Sequence, residues 1–126
     1  MQYSKVLLID DDEDDQELFL LAIKEIAASV ECITLDNAQS ALTQLESRAL
    51  IADVIFLDLN MPIMNGQQFL LELNKREALS QIPVFILSTS SNIETINQAK
   101  ALGAKSFITK PSNFKELKSI LHSILE

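Results

Sequence analysis

The apolar positions of this chain fall into short unbroken runs separated by longer stretches of mixed character. Val6-Leu7-Leu8-Ile9, Val54-Ile55-Phe56-Leu57 and Val84-Phe85-Ile86-Leu87 are continuous runs of strand length. Val30-Glu31-Cys32-Ile33-Thr34-Leu35 and Ser106-Phe107-Ile108-Thr109 are mixed runs of similar length. Between them lie helical patterns. The first carries Leu18, Leu21 and Ile26 at three- and four-residue spacing, and the second runs from Asn37, a predicted N-cap, through Ala41, Leu42 and Leu45. A third begins near Asn65 and carries Phe69, Leu70 and Leu73. A fourth spans about Asn92 to Leu102, and Gly103 suits the left-handed position just beyond its end. The last covers about Asn113 to Leu125, with Leu117, Ile120, Leu121 and Ile124 on one face.

Five repeats of strand then helix predict an α/β fold: a doubly wound parallel sheet of five strands with five helices on its two faces. Strands buried on both faces read as unbroken apolar runs, which places strands one, three and four centrally. Glu31, Thr34, Lys105 and Ser106 mark strands two and five as edges. The order 2-1-3-4-5 satisfies both conditions. There is no repeat and no low-complexity linker, so residues 1–126 read as one domain.

Composition narrows the function classes. Acidic residues outnumber basic ones by 18 to 10, a net charge of −8, which argues against nucleic acid or an anionic membrane as the partner. No apolar run approaches membrane-spanning length, and residues 1–5 lead straight into a strand rather than a signal peptide, so a cytoplasmic location is expected. The single cysteine, Cys32, has no intrachain partner and reads as a small apolar strand residue.

In a sheet of this order, ligands bind beyond the carboxyl ends of the strands, at the switch point between strands one and three. Asp10, Asp11, Asp12, Glu13, Asp14 and Asp15 follow strand one, and Asp58 follows strand three. Ser88 and Thr89 follow strand four, and Lys110 with Pro111 follows strand five. The fold therefore gathers carboxylates, a hydroxyl and an ammonium on one rim. Clustered carboxylates repel unless a cation relieves them, and an all-oxygen set with room for waters and a phosphate suits Mg²⁺. Asp10, Asp11 and Asp58 carry −3, against +3 from Mg²⁺ and Lys110. A phosphoryl group on Asp58 would replace one carboxylate charge by about −2, which is tolerable only with both cations present.

Each feature also has a plainer reading. Acids favour the first turn of a helix, which accounts for Glu13, Asp14 and Asp15 and, taken alone, would serve for Asp10 and Asp11. Asp58 alone would pass as a loop acid, the Ser88–Ser91 run as a polar loop and Lys110 as a surface lysine. Their common position at the strand ends favours the site. Other motifs fail. Asp10, Asp12 and Asp14 mimic a calcium loop, but Asp15 stands where that loop needs Gly and Leu21 where it needs Glu. The only glycines are Gly66 and Gly103, so there is no Gly-rich nucleotide loop. The one histidine, His122, reads as a partly exposed helix residue, and no zinc set or Ser-His-Asp triad can be assembled.

Four segments carry a family likeness: Val6 to Asp11, Asp58-Leu59-Asn60-Met61-Pro62-Ile63-Met64-Asn65-Gly66, Pro83 to Ser88, and Phe107-Ile108-Thr109-Lys110-Pro111. In this order and spacing the chain resembles, over essentially its whole length, the CheY-like receiver domain of two-component response regulators, which has the flavodoxin-like form of the fold above. The resemblance implies that Asp58 is the phosphoacceptor. It implies that Asp10, Asp11, Asp58 and the backbone carbonyl of Asn60 hold Mg²⁺, with Asp12 adjacent as a further candidate. Lys110 would pair with the phosphoryl oxygens across a cis Lys110–Pro111 bond, Ser88 would be the switch hydroxyl and Phe107 the switch aromatic. Thr89 stands where the family usually has a smaller residue, and Phe107 replaces a frequent tyrosine. The implied partners are a histidine kinase or histidine phosphotransfer protein upstream and a protein target downstream. The implied chemistry is limited to the domain's own phosphorylation and dephosphorylation. Two rivals remain: a receiver-like interaction module that is never phosphorylated, and a phosphohydrolase using Asp58, which Asn60 leaves without an obvious general acid. The chain fits a complete single-domain regulator or a part of a longer protein.

Overall fold

The computed structural model describes residues 2–89 and 92–126; Ser90 and Ser91, the end of the expected polar loop, lie outside the described residues. Ten elements alternate: β1 (Lys5–Ile9), α1 (Glu13–Ile26), β2 (Glu31–Leu35), α2 (Ala38–Glu46), β3 (Val54–Leu57), α3 (Gly66–Asn74), β4 (Val84–Ser88), α4 (Ile93–Ala101), β5 (Ser106–Thr109) and α5 (Phe114–Leu125). All strands pair in parallel in the order β2-β1-β3-β4-β5. The sheet has the strand order the apolar runs predict, with β2 and β5 at its edges, and the flavodoxin-like form the resemblance implies.

Alternation along the strands divides the core in two. Leu7, Ile9, Ile55, Leu57 and Ile86 face α2, α3 and α4, packing with Leu42, Phe69, Leu70, Leu73 and Ala99. Val6, Leu8, Val54, Phe56, Phe85 and Leu87 face α1 and α5, meeting Phe19, Ala22, Ile23, Leu117, Leu121 and Leu125. On this side Phe19 meets Phe56 edge-on at 5.2 Å, and Phe56 stacks on Phe85 at 5.5 Å. Both faces of β1, β3 and β4 are thus dry, which is why these strands read as unbroken apolar runs.

The helix starts follow local chemistry. Asn37, Asn65, Asn92 and Asn113 each cap a helix by accepting a backbone N–H in its first turn, and Asp12 does the same for α1. Gly103 takes φ +103° just past α4, as its position predicts. The face of α1 differs from the expected one. Leu18 and Leu21 are exposed, and Phe19, Ala22 and Ile23 are buried instead. Residues 18–23 are apolar without interruption, so spacing alone does not choose a face; Phe19, Ala22 and Ile23 are the ones that join the core cluster on this side of the sheet.

Candidate functional site

The rim is built by backbone hydrogen bonds that carry the sheet one step beyond its strands. The Asp10 N–H donates to the Leu35 carbonyl (3.0 Å), the Asp58 N–H to that of Ile9 (3.0 Å) and the Lys110 N–H to that of Ser88 (2.8 Å). Each bond fixes a chemistry-bearing residue against the end of the adjacent strand. Asp10 and Asp58 are buried at 1% and 6% exposure, and Ser88 is fully buried.

Carboxylate oxygens of Asp10, Asp11 and Asp58 lie within 4.8 Å of one another, the first and last buried and Asp11 open to solvent. Three hard oxygen donors with one open side fit a divalent cation. Asp12 does not join them. Its N–H donates to Asp10 Oδ1 (2.9 Å), and its own Oδ1 accepts from the Asp15 N–H (3.1 Å), so it is engaged as the helix cap. Asn60 stands beside Asp58, its N–H donating to Asp58 Oδ1 (3.2 Å). The Gln16 side-chain amide donates to the Asp10 carbonyl and ties α1 to the end of β1.

Lys110 reaches across the rim from β5. Its Nζ lies 2.7 Å from Asp15 Oδ2, 2.9 Å from Asp10 Oδ2 and 3.6 Å from Asp58 Oδ2. Burial works against the lysine's charge. The hydrogen bonds to Asp15 and Asp10, with the charges of Asp10 and Asp58, outweigh it and hold the ammonium above the ordinary lysine value. Burial pushes the Asp10 carboxyl up, opposed by the Asp12 N–H and Lys110 and helped by the charge on Asp58. One lysine does not fully compensate the buried carboxylate, and a cation at the acidic set would relieve it.

The loop after β3 is shaped around Asp58. The Gly66 N–H donates to the Leu59 carbonyl (3.0 Å), and a Cβ on Gly66 would stand 3.0 Å from the Asp58 carbonyl oxygen. At the outer turn the Met64 N–H donates to the Pro62 carbonyl (2.8 Å), and Ile63 between them takes φ +70° with 87% exposure. That is a γ-turn with a left-handed β-branched centre, a strained form. Phe107 is half-buried against the α2–α4 side of the core, while Thr89 is exposed. The expected cis bond before Pro111 is absent: no cis peptide occurs among the described residues. Trans is the intrinsic preference of an X–Pro bond, and in it the Lys110 side chain reaches the acids.

Asp15 also joins the rim, where the sequence alone suggests only a solvated acid at a helix start. The available signal was the cap. With Asp12 as N-cap, Asp15 is the third helical residue, whose side chain turns back toward the strand end. Cys32 is half-buried in β2, with its thiol pushed up to about 12 by burial, consistent with an inert strand residue. His122 is exposed near the end of α5, far along the helix from the rim.

A family model described as the response regulator receiver domain matches residues 6–122. The chain belongs to this family. Among curated receivers it is 28% identical over 124 residues to the response regulator Rcp1 of Synechocystis sp., covering 94% of this chain and 84% of Rcp1. It is 29% identical to the two-component response regulator ORR1 of Oryza sativa, but spans only 53% of that protein. Among solved structures, the phosphorylated cyanobacterial phytochrome response regulator RcpA superposes with a TM-score of 0.88 at 31% identity, covering 97% of this chain and 91% of the other. A Mn²⁺-bound form of Rcp1 gives 0.86 at 28% identity, covering 96% and 91%. The chemotaxis response regulator CheY4 of Vibrio cholerae gives 0.81 at 28%, covering 97% and 98%. As a receiver, this protein works in two-component signal transduction, and its acidic set fits a divalent metal ion. No helix among the described residues is long and apolar enough to cross a membrane.

Proposed function

We propose that Asp58 accepts a phosphoryl group from a phosphohistidine. The observation that carries this reading is the convergence of Asp10, Asp11, Asp58 and Lys110 from three strand ends onto one rim. A carboxylate oxygen of Asp58 attacks phosphorus in line, the P–N bond breaks, and its electron pair leaves on the imidazole nitrogen. The product is an acyl phosphate on Asp58, and hydrolysis by water returns the carboxylate and inorganic phosphate.

Asp10, Asp11, Asp58 and the Asn60 carbonyl would hold Mg²⁺, which neutralises charge gathering on the phosphoryl oxygens. Lys110 supplies a second positive charge to those oxygens. Ser88, buried at the end of β4, turns its hydroxyl to a phosphoryl oxygen, and Phe107 repacks into the space released. Such a switch is a shift between two packings of one domain, read by a downstream protein at the surface of α4, β5 and α5. The upstream partner is a histidine kinase or histidine phosphotransfer protein, the location is the cytoplasm, and residues 1–126 act as one receiver domain. The protein catalyses no reaction beyond its own phosphorylation and dephosphorylation.

The test is labelling by a small-molecule phosphodonor in Mg²⁺, followed by intact mass. One phosphoryl group per wild-type chain and none on Asp58→Asn is the expected result. Labelling retained on Asp58→Asn would place the acceptor elsewhere, and an unlabelled wild type would favour a pure interaction module.

A further inference from the structure

We infer that Asp15 is a positioning residue that withholds Lys110 from Asp58 and so restrains phosphorylation; this rests on the proposed chemistry of Asp58. Three carboxylates compete for one ammonium. Lys110 Nζ is within hydrogen-bond distance of Asp15 and Asp10 but 3.6 Å from Asp58. Of the three, Asp15 is the nearest, at 2.7 Å.

The partners differ in what they can do next. Asp10 and Asp58 belong to the acidic set that fits a cation, and Asp15 does not. When a cation engages Asp10, the bond to Asp15 is left as the lysine's competing tie. A phosphoryl group on Asp58 must then draw Lys110 away from Asp15 or share it. Asp15 also adds charge. With it, the rim counts −4 against +3 from Lys110 and Mg²⁺, and a phosphoryl group takes the sum from about −1 to about −2. Asp15 is 36% exposed at its side chain, against 14% for Lys110, so its pull is strong enough to orient the lysine and weak enough to yield.

The tie is also placed to act independently of the fold. Asp15 gives its backbone N–H to the Asp12 cap, a bond that does not use the side chain and that Asn or Glu at position 15 can make equally. The carboxylate itself bonds only Lys110 among the contacts resolved at this residue.

The experiment measures the rate of labelling by acetyl phosphate in saturating Mg²⁺ for wild type, Asp15→Asn and Asp15→Glu, at low and high ionic strength. At low salt, Asp15→Asn should label roughly two- to fivefold faster than wild type, the range set by a partly exposed ion pair. Asp15→Glu should return toward the wild-type rate, and the gap should narrow in about 0.5 M salt as the charges are screened. A merely structural role for Asp15 would not produce this charge and salt dependence. Equal rates for wild type and Asp15→Asn would overturn the inference, and a slower Asp15→Asn would show that Asp15 presents the lysine instead of withholding it. An unlabelled wild type would instead strike at the acceptor assignment itself.

Discussion

Gly66 lies so close against Leu59 that a Cβ placed on it would stand 2.7 Å from the Leu59 Cα and 2.5 Å from its Cδ2. Contacts that short are not tolerated, so the first residue of α3 is glycine because the loop carrying Asp58 passes directly over it. Gly→Ala inside a helix normally stabilises by up to about 1 kcal/mol. Here the sign reverses. Gly66→Ala should cost about 1–3 kcal/mol in denaturant unfolding, and should slow phosphodonor labelling because the loop that must move holds Asp58.

The acidic set gives a metal-dependent stability. Asp10 is buried at 1% exposure beside Asp58, and Lys110 compensates it only in part. A cation held at ten times its dissociation constant adds about 1.4 kcal/mol to the folded state. For a domain of this size that is a rise of about 5 °C in Tm. Calorimetry with and without Mg²⁺ should show this rise in wild type and lose it in Asp11→Asn, which removes a ligand from the exposed side. No shift in wild type at millimolar Mg²⁺ would count against the metal.

Asp53 predicts a pH dependence remote from the rim. One of its oxygens, Oδ2, accepts from the Ser4 N–H (2.9 Å), the Ser4 hydroxyl (2.8 Å) and the Lys5 N–H (2.9 Å), clipping the start of β1 to the start of β3. The hydroxyl and N–H of Ser4, followed by the N–H and charge of Lys5, hold its carboxyl below the usual range. A depressed acid stabilises the fold above its unfolded pKa and stops doing so as pH falls through its folded value. Asp53→Ala should therefore cost about 1 kcal/mol at neutral pH. The difference between variant and wild type should vanish in acid, below the ordinary aspartate range.

Ile63 is a place where the fold can be improved. A β-branched side chain at φ +70° is strained, and with 87% exposure it contributes little burial in return. Ile63→Gly should leave Tm unchanged or raise it, as relief of about 1 kcal/mol of strain offsets glycine's extra freedom in the unfolded chain. A clear loss of stability would mean that the isoleucine makes contacts that outweigh its strain.

The legible and illegible parts of this protein divide along physical lines. The rim positions of Asp58, Lys110 and Ser88 were readable because a parallel sheet sends every strand's carboxyl end to the same rim, so placing the strands places these side chains. The asparagine caps were readable because capping is local. The buried face of α1 was not. Leu18 and Leu21 satisfy helical spacing as well as Phe19, Ala22 and Ile23 do, and only the sheet beneath decides between them. Asp15 was hidden among five neighbouring acids, its role set by a lysine 95 positions away. The isomer of the Lys110–Pro111 bond, expected cis and found trans, is a matter of tertiary context that local sequence does not encode.

The bond from the Lys110 N–H to the Ser88 carbonyl ties together the two residues that would read the phosphoryl group from different strands. Neither backbone can retreat without pulling on the other, so they behave as two prongs of one fork. Loss of either side chain should then change what the remaining one does, and the effects of Ser88→Ala and Lys110→Arg on partner affinity should fail to add in a double-mutant cycle. Information about the phosphate would leave the site through β4 and β5 jointly, as a single mechanical event.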